Sequence, residues 1–560
     1  PSTWLQSSLR LLVSQGTSTQ NHFVQHIRNR IRESPPPFPN AQALFPEPTT
    51  VSNECHNYLA LTRCIFSSKL AEDSLPYLTH FVRAIVQRQA IWSHQSELEM
   101  AILQLGGDIV QAVQALKESQ PNLTAELEGR LEDLLSSFRE CTAYCKSKEM
   151  LGFPFSRAEK QVRGVLFSLR AQSGRPNGEK EEEEAEVPAP SLSLSLSERS
   201  KKVEMFKLGP INAPRLLNGL WQLSSPAWGS STSEHQEQAL AQLVEAGLTM
   251  ADMADHYGDA ELIYGEFRNK LMPGLNGQVL AATKWCVFSK PQQAITEDWV
   301  LRAVHERSRR LGGRVELLQF HWYDYEDKDY LEILTMLVSI ARRQPHLVSA
   351  VGLCNFDAAH TAEACEYILA KTGSVGLVSN QVQASPESMG LFSLLDSRPL
   401  HEMCAVCQRY GLKLLTYGSL CGGFLSPKWL NRTAPDLYST AEQLTPSQRK
   451  YFDIISAWGG WADFQRLLSI LDGIAGSHGV KLTNIATRWV LQKPNVGAVI
   501  VGTRLGVSAH GNDNLCVFDF DLSEDEVAAI NCIALGERKE KSRALFERLG
   551  DCGNEYRAMH

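Results

Sequence analysis

The chain has 560 residues, a formal net charge of −8 at pH 7 and a sequence isoelectric point of about 6.1. The excess of acidic residues argues against a nucleic-acid-binding protein. No uninterrupted apolar run reaches the length of a membrane-spanning helix, so we expect no membrane span, and the chain length predicts two or more domains.

The thirteen cysteines are scattered along the chain without a CxxC pair or a regular framework. This usage is typical of reduced thiols and predicts a cytoplasmic protein. Because the sequence opens at Pro1 without a methionine, targeting to an organelle stays open.

Residues 1–170 predict a helical domain. Apolar side chains recur at steps of three and four residues, as at Leu127, Leu131 and Leu135, and strand-like alternation is scarce. Cys141 and Cys145 lie one helical turn apart without an evident partner, which favours packed thiols over metal ligands. No catalytic signature is present in this domain. Three roles stay open for it: covering a substrate pocket, binding a partner and self-association.

Residues 171–202 predict a disordered acidic linker. The stretch combines the glutamate-rich run 179–184 with prolines and a Ser-Leu repeat. Because it has few apolar residues and carries like charges, such a segment cannot bury enough surface to order itself.

Residues 203–545 alternate short apolar strands with helices, which is typical of repeated βα units. Eight strands are predicted, at residues 218–222, 249–254, 278–283, 316–320, 349–353, 376–380, 413–417 and 496–501. They predict an α/β fold of the (β/α)8 TIM barrel type, followed by a C-terminal tail at residues 546–560. A doubly wound open sheet is the rival, but it requires a glycine-rich fingerprint that residues 218–222 lack.

Polar side chains stand at the ends of three consecutive predicted strands. They are Asp252 and Tyr257, then Lys284, then His321. The carboxyl ends of barrel strands meet at one mouth, so these side chains should converge. Residues 252–258 read DMADHYG, and together with the strand-end lysine and histidine they resemble the aldo-keto reductase family. The residues of the motif are similar to those of one branch of the family, which is found in plants, algae, fungi and bacteria.

The resemblance covers about residues 203–545 and implies an NAD(P)H-dependent oxidoreductase that reduces an aldehyde or ketone to an alcohol. It implies that Tyr257 is the general acid, that Lys284 and Asp252 tune it, and that His321 orients the carbonyl oxygen. These residue types suit such roles, because a neighbouring ammonium favours the phenolate and should lower the pKa of Tyr257.

The resemblance also implies the cofactor site. Asn355 and Gln381 match side chains that bind the nicotinamide amide, Cys354 replaces the serine of the family, and Tyr417 matches the aromatic residue under the nicotinamide ring. A loop of small residues follows the seventh strand and suits a pyrophosphate; its members are Gly418, Ser419, Leu420, Gly422 and Gly423.

At the adenosine end the resemblance implies contacts from Arg504, His510, Asp513 and Asn514. Arg504 matches a basic residue that binds the 2′-phosphate of NADPH. His510 stands where a second basic residue, often arginine, is expected, which weakens the preference for NADPH and keeps NADH open.

Four tryptophans are candidates for an aromatic substrate pocket, namely Trp221, Trp285, Trp458 and Trp461, with packing of the loops on the barrel as the alternative. No metal site is predicted. The sequence thus predicts a reductase of a small carbonyl compound. The main alternative is a cofactor-binding regulatory or scaffold protein whose helical domain binds a protein partner.

Overall fold

A computed structural model of the chain describes residues 17–93, 96–119, 123–148, 150, 153–173, 191–224, 233–291, 293–382, 394–395, 397, 402–436, 444–507 and 510–549. The chain forms two compact units that divide near residue 187. One unit is helical and the other is built on a closed parallel barrel, which confirms the predicted fold class. No helix in this described part is long and apolar enough to cross a membrane.

Seven helices make up the described part of the helical unit. They are α1 (Thr17–Glu33), α2 (Ala41–Leu44), α3 (Asn53–Ser67), α4 (Ala71–Gln87), α5 (Glu97–Glu118), α6 (Ala125–Ser147) and α7 (Ser156–Gln172). Ser52, Ser96 and Thr124 begin three of them, because each side chain accepts a hydrogen bond from the backbone N–H of the third helical residue. The periodic leucines of α6 lie in one apolar core, which also contains Cys141 and Cys145.

The second unit contains ten strands, of which eight close the barrel. The strands are β1 (Met205–Leu208), β2 (Ile211–Pro214), β3 (Leu216–Gly219), β4 (Met250–Asp252), β5 (Leu280–Cys286), β6 (Val315–His321), β7 (Val348–Cys354), β8 (Leu377–Val382), β9 (Lys413–Tyr417) and β10 (Val496–Gly502). The barrel order runs from β3 to β9 in sequence, and β10 closes it by pairing with both β9 and β3.

Helices follow the strands and cover the outside of the barrel. They are α8 (Ser233–Glu245), α9 (Ala260–Lys270), α10 (Pro273–Asn276), α11 (Glu297–Arg310), α12 (Asp329–Arg343), α13 (Ala358–Thr372), α14 (Met403–Tyr410), α15 (Pro446–Trp458), α16 (Gly460–His478), α17 (Leu482–Leu491), α18 (Gly511–Leu515), α19 (Glu524–Ala534) and α20 (Glu540–Leu549). The parallel strands and their helices give the βα repeat that the sequence predicted.

The antiparallel hairpin β1–β2 packs against the amino-terminal half of the barrel interior. Its Leu208 and Ile211 share an apolar cluster with inward side chains of the barrel strands such as Leu217, Met250 and Leu317. Side chains alternate along a strand, so the same inward face continues with polar residues at the carboxyl ends. The barrel interior is therefore apolar at one end and polar at the other.

The predicted linker is wrong for residues 191–202, which are bound to the barrel. Leu192 forms a parallel β-bridge with Leu271, and Ser191 donates a backbone hydrogen bond to Lys270 O at 2.8 Å. A 3₁₀ helix follows at Glu198–Lys202, where Lys202 Nζ lies 3.0 Å from Asp519 Oδ1. These contacts supply the burial and the charge pairing that the segment lacks by itself. The acidic run at 179–184 lies outside the described residues.

The predicted domain ends at residues 170 and 545 also differ from the ends of the helices in the structure. The last helix of the helical unit ends at Gln172 rather than at residue 170. The last helix of the barrel unit, α20, runs past residue 545 to Leu549.

Candidate active site

The structure brings the four predicted strand-end residues together at the polar end of the barrel interior. Asp252 ends β4, Lys284 lies inside β5 two residues before its end, and His321 ends β6. Tyr257 belongs to the loop after β4. All four side chains are buried, with residue exposures of 1–7%. Their convergence follows from strand alternation, because Ala282 and Lys284 share one face of β5.

Lys284 connects the carboxylate of this cluster to its phenol. Its Nζ donates to Asp252 Oδ2 at 2.6 Å, to Met253 O at 2.8 Å and to Tyr257 OH at 3.3 Å. An ammonium has three donors, and all three are used here. The position of Lys284 Nζ beside the Tyr257 hydroxyl is thus fixed by a buried ion pair.

Two glutamine amides bind the other oxygen of Asp252. Gln319 Nε2 donates to Asp252 Oδ1 at 2.9 Å, and Gln381 Nε2 donates to the same atom at 2.7 Å. Gln381 Nε2 also donates to Gln319 Oε1 at 3.0 Å. The sequence analysis missed Gln319, although its position two residues before His321 on β6 already places it on the inward face.

Burial raises the pKa of Tyr257 above its ordinary value, and the positive charge of Lys284 only partly opposes this shift, while the charge of Asp252 adds to it. Lys284 thus lowers the Tyr257 pKa as expected, but burial is the larger effect and the net shift is upward. Burial alone would lower the pKa of Lys284, but Asp252, Tyr257 and Cys354 together outweigh burial and the pKa is raised. Both groups consequently hold their protons at neutral pH.

His321 is oriented by a backbone carbonyl. Its Nδ1 lies 3.2 Å from Cys354 O, and because a carbonyl can only accept, this contact assigns a proton to Nδ1. The ring also lies 5.6 Å from the ring of Phe288. A neutral His321 in this tautomer presents Nε2 as an acceptor, whereas the imidazolium would present it as a donor.

Buried ion pairs on the outer wall hold the loop that carries Tyr257. Arg307 of α11 pairs with Asp255, and Arg310 Nε lies 2.6 Å from Glu261 Oε2. Thr283 donates to Glu261 Oε1 at 2.5 Å. These contacts tie the loop to α11 and β5, and sequence spacing could not reveal them because the charged partners are about fifty residues apart.

At the end of β7, Asn355 adopts a left-handed backbone conformation with φ of 60°, and its N–H donates to Gln381 O at 2.8 Å. Gln381 Oε1 is buried and accepts no hydrogen bond from the described residues. An unused buried acceptor costs free energy, so this oxygen fits the amide N–H of a nicotinamide. The neighbouring Cys354 thiol is buried, and burial raises its pKa to about 12.

The loop of small residues after β9 begins at the inward-facing Tyr417. Gly418, Gly422 and Gly423 have φ values of 73°, 63° and 90°, a conformation that favours glycine. Ser419 is buried and Leu420 is half-buried. Such backbone lets N–H groups approach an anion closely, which fits the pyrophosphate of a dinucleotide.

The predicted adenosine contacts follow β10. Arg504 and Asn514 are partly exposed, and His510 is exposed with its Nδ1 3.9 Å from Asp513 Oδ2. The Asp513 carboxylate also pairs with Lys481 Nζ at 2.5 Å. The group lies at the carboxyl end of the barrel, but Asp513 already has a cationic partner.

The predicted tryptophan pocket is wrong for three of its four members. Trp285 points outward from β5 against Trp299, because its neighbour Lys284 points inward. Trp458 donates to Ala534 O at 2.8 Å, and Trp461 donates to Arg432 O at 2.7 Å inside an aromatic cluster of the loops. Trp221, which is 38% exposed, follows directly after β3 at the carboxyl end of the barrel.

Comparisons with known proteins agree with this geometry. The sequence model of the Aldo/keto reductase family matches residues 215–534. The chain is 25% identical over 352 residues to "Pyridoxal reductase, chloroplastic" of Arabidopsis thaliana, covering 61% of this chain and 88% of that protein. It is 29% identical over 189 residues to "Flagellar radial spoke protein 5" of Chlamydomonas reinhardtii, covering 31% of this chain and 33% of that protein.

One solved structure with a similar fold is a thermostable aldo-keto reductase in complex with the inhibitor epalrestat. It is 22% identical, with a TM-score of 0.43, and the match covers 59% of this chain and 99% of that chain.

Proposed function

The chain belongs to the aldo/keto reductase family, and from this premise we propose that it reduces an aldehyde or ketone to an alcohol with NADPH, using Tyr257 as the general acid. Membership of this family makes the chain an oxidoreductase with a nicotinamide cofactor.

One observation carries the proposal: Lys284 Nζ contacts both Asp252 Oδ2, at 2.6 Å, and Tyr257 OH, at 3.3 Å. A phenol in contact with an ammonium can release its proton, because the charge of Lys284 stabilises the phenolate that remains. Asp252 keeps the ammonium charged and fixes its position. No other described tyrosine has a lysine ammonium at hydrogen-bond distance that is itself held by a buried carboxylate.

A nicotinamide cofactor held in this site would supply the hydride. Tyr257 then provides the proton to the carbonyl oxygen, and its raised pKa keeps that proton in place until the oxygen becomes basic enough to take it. His321 faces the same space, and in its imidazolium form the Nε2–H would donate to the carbonyl oxygen and orient it. Burial of all four residues excludes water, which strengthens each of these electrostatic contacts.

Gln381, Asn355 and Tyr417 would hold the nicotinamide end of the cofactor. The buried acceptor Gln381 Oε1 supports this assignment. For the adenosine end we propose that Arg504 binds the 2′-phosphate, because a guanidinium makes paired hydrogen bonds with phosphate oxygens. This choice favours NADPH, and NADH stays the second cofactor.

Aromatic side chains near Tyr257 suit an aromatic carbonyl compound. The His256 ring lies 4.8 Å from the Tyr257 ring and 5.1 Å from the Phe288 ring. The relative from Arabidopsis thaliana is named for pyridoxal, an aldehyde on an aromatic ring, so pyridoxal belongs in the first panel of substrates. We propose that the protein is located in the cytoplasm. The chloroplast is the second candidate, because the name of the same relative includes it.

The experiment uses the full chain. Binding of NADPH is followed by fluorescence, and oxidation of the bound cofactor is then followed on a panel of aldehydes, ketones and quinones, with wild type and Tyr257→Phe. We expect binding by both proteins and turnover by wild type alone. Binding without turnover would favour the regulatory or scaffold role, with the helical unit as the partner-binding part. Failure to bind either NADPH or NADH would reject the proposal.

A further inference from the structure

We propose that Asp255, His256 and Cys286 form a zinc-binding site in the wall of the active-site mouth, beside Tyr257. One ligand atom from each of these residues lies within 4.8 Å of the other two. Carboxylate, imidazole and thiolate are the donor types that Zn²⁺ takes in proteins. None of the three side chains transfers the hydride or the proton in the proposed reduction.

The backbone holds two of the ligands at a fixed spacing. Asp255 N donates to Lys284 O at 3.2 Å, and Cys286 N donates to Asp255 Oδ2 at 3.2 Å. The loop after β4 is thereby attached to the end of β5. Metal sites on rigid elements lose little conformational entropy when the ion binds.

The two oxygens of Asp255 have different partners. Oδ2 accepts from Arg307 and from Cys286 N, which orients the carboxylate. Oδ1 faces His256 Nδ1 at 3.4 Å. That distance is long for an N–H···O hydrogen bond. It equals the distance of roughly 3.4 Å between two ligand atoms that both bind one tetrahedral zinc ion at about 2.0–2.1 Å.

Cys286 completes the set from the neighbouring strand. Its thiol is buried at the end of β5. Zn²⁺ would replace the thiol hydrogen, with release of one proton, and would be held by one thiolate, one carboxylate and one neutral imidazole. The thiolate offsets one charge of the ion, and the carboxylate of Asp255 is shared with Arg307. Three protein ligands leave a fourth position open.

The location of the site predicts a consequence for turnover. The His256 side chain is 16% exposed, so an ion can enter from the mouth. Its ring lies 4.8 Å from the Tyr257 ring, and zinc held there would narrow the approach to the phenol. Inhibition by zinc rests on the proposed function, whereas zinc binding does not.

The test uses the full chain without a histidine tag. Zn²⁺ affinity is measured by competition with a chromophoric chelator, and Co²⁺ replaces zinc to reveal a thiolate-to-metal absorption band. Cys286→Ser and His256→Gln should each weaken zinc binding by roughly tenfold or more, and Cys286→Ser should remove the cobalt band. The matched control is Cys365→Ser, a buried cysteine of α13, which should leave both readouts unchanged.

Wild-type zinc affinity in both folded variants, or a cobalt band that survives Cys286→Ser, would overturn the proposal. Circular dichroism checks the fold of each variant, and the partly exposed His256 supplies a test if Cys286→Ser does not fold. Turnover is measured in a separate arm, where zinc should inhibit wild type but not Cys286→Ser. A protein that binds zinc but reduces no carbonyl would contradict the proposed function alone.

Discussion

The side-chain amide of Gln381 donates a hydrogen bond of 2.7 Å to Asp252 Oδ1. A residue assigned to the nicotinamide is thereby bound directly to the carboxylate that holds Lys284. The neighbouring amide of Gln319 donates to the same oxygen at 2.9 Å. The proposed nicotinamide site and the proposed proton donor are thus connected through one buried carboxylate.

This pair of glutamines provides a matched test of the cofactor site. Gln381→Leu and Gln319→Leu each remove one hydrogen bond to a buried carboxylate, so both should lower the unfolding free energy by about 1.5–3 kcal/mol. Only Gln381→Leu should also weaken cofactor binding, by about tenfold, because its Oε1 is the buried unused acceptor. Fluorescence titration with NADPH measures this difference, and equal affinities in the two variants would contradict the assignment of Gln381.

Tyr257→Phe should lower kcat by about 10²–10⁴, the usual contribution of a general acid, with little change in cofactor affinity. Tyr264→Phe is the control, because Tyr264 is also a buried tyrosine but donates to Leu280 O at 2.9 Å. That variant should lose about 1 kcal/mol of stability and keep its kcat. Steady-state rates and unfolding curves separate the two effects, and equal rate losses would indicate a structural role for Tyr257.

Lys284→Met should destabilise the barrel by about 3–5 kcal/mol, because it leaves the buried carboxylate of Asp252 without its cation. Lys201→Met tests the same substitution in an exposed ion pair and should change stability by at most about 1 kcal/mol. The double variant Asp252→Leu with Lys284→Met should recover part of the loss. Urea unfolding provides the measurement, and a Lys284→Met variant as stable as wild type would contradict the buried pair.

The raised pKa values of Tyr257 and Lys284 predict a loss of stability at high pH. The folded state holds both protons more tightly than the unfolded state, whose groups titrate near pH 10 and 10.4. Their contribution is therefore complete below about pH 10 and disappears as pH rises through the higher folded-state values. Unfolding free energy should fall above about pH 10, less steeply in Tyr257→Phe. A stability that increases over this range would refute the assigned direction.

Arg504→Gln should weaken NADPH binding by roughly tenfold or more and leave NADH binding unchanged, because hydrogen bonds to a charged group contribute about 1.5–3 kcal/mol. Arg466→Gln is the matched control, since Arg466 is exposed on α16 and pairs with Asp463. The ratio of the NADPH affinity to the NADH affinity is measured for wild type and for both variants. A parallel loss for NADPH and NADH would place Arg504 elsewhere than at the 2′-phosphate.

The barrel could be predicted from sequence because its signals are local. Each strand is a short apolar run, and the polar residue that ends it, such as Asp252 or His321, interrupts that run visibly. Alternation along β5 also excludes Trp285 from the interior once Lys284 is placed there, so this error was avoidable. Gln319 could have been found by the same rule from the position of His321.

Other features depend on contacts between distant parts of the chain. Residues 191–202 lack the apolar content to order themselves, but Arg199 and Lys202 reach Asp519 more than three hundred residues later. The same holds for Arg307 and Arg310, whose charges look like solvated helix residues until the fold brings them to Asp255 and Glu261.

The sequence by itself determined the fold class, the family and the residues that meet at the mouth, because hydrophobic periodicity and short motifs are encoded within a few residues. Only the tertiary structure decided the direction of the Tyr257 pKa shift, the hydrogen bonds that surround Asp252 and the spacing of Asp255, His256 and Cys286. Burial and distance set these properties, and both arise only when separate strands close into a barrel.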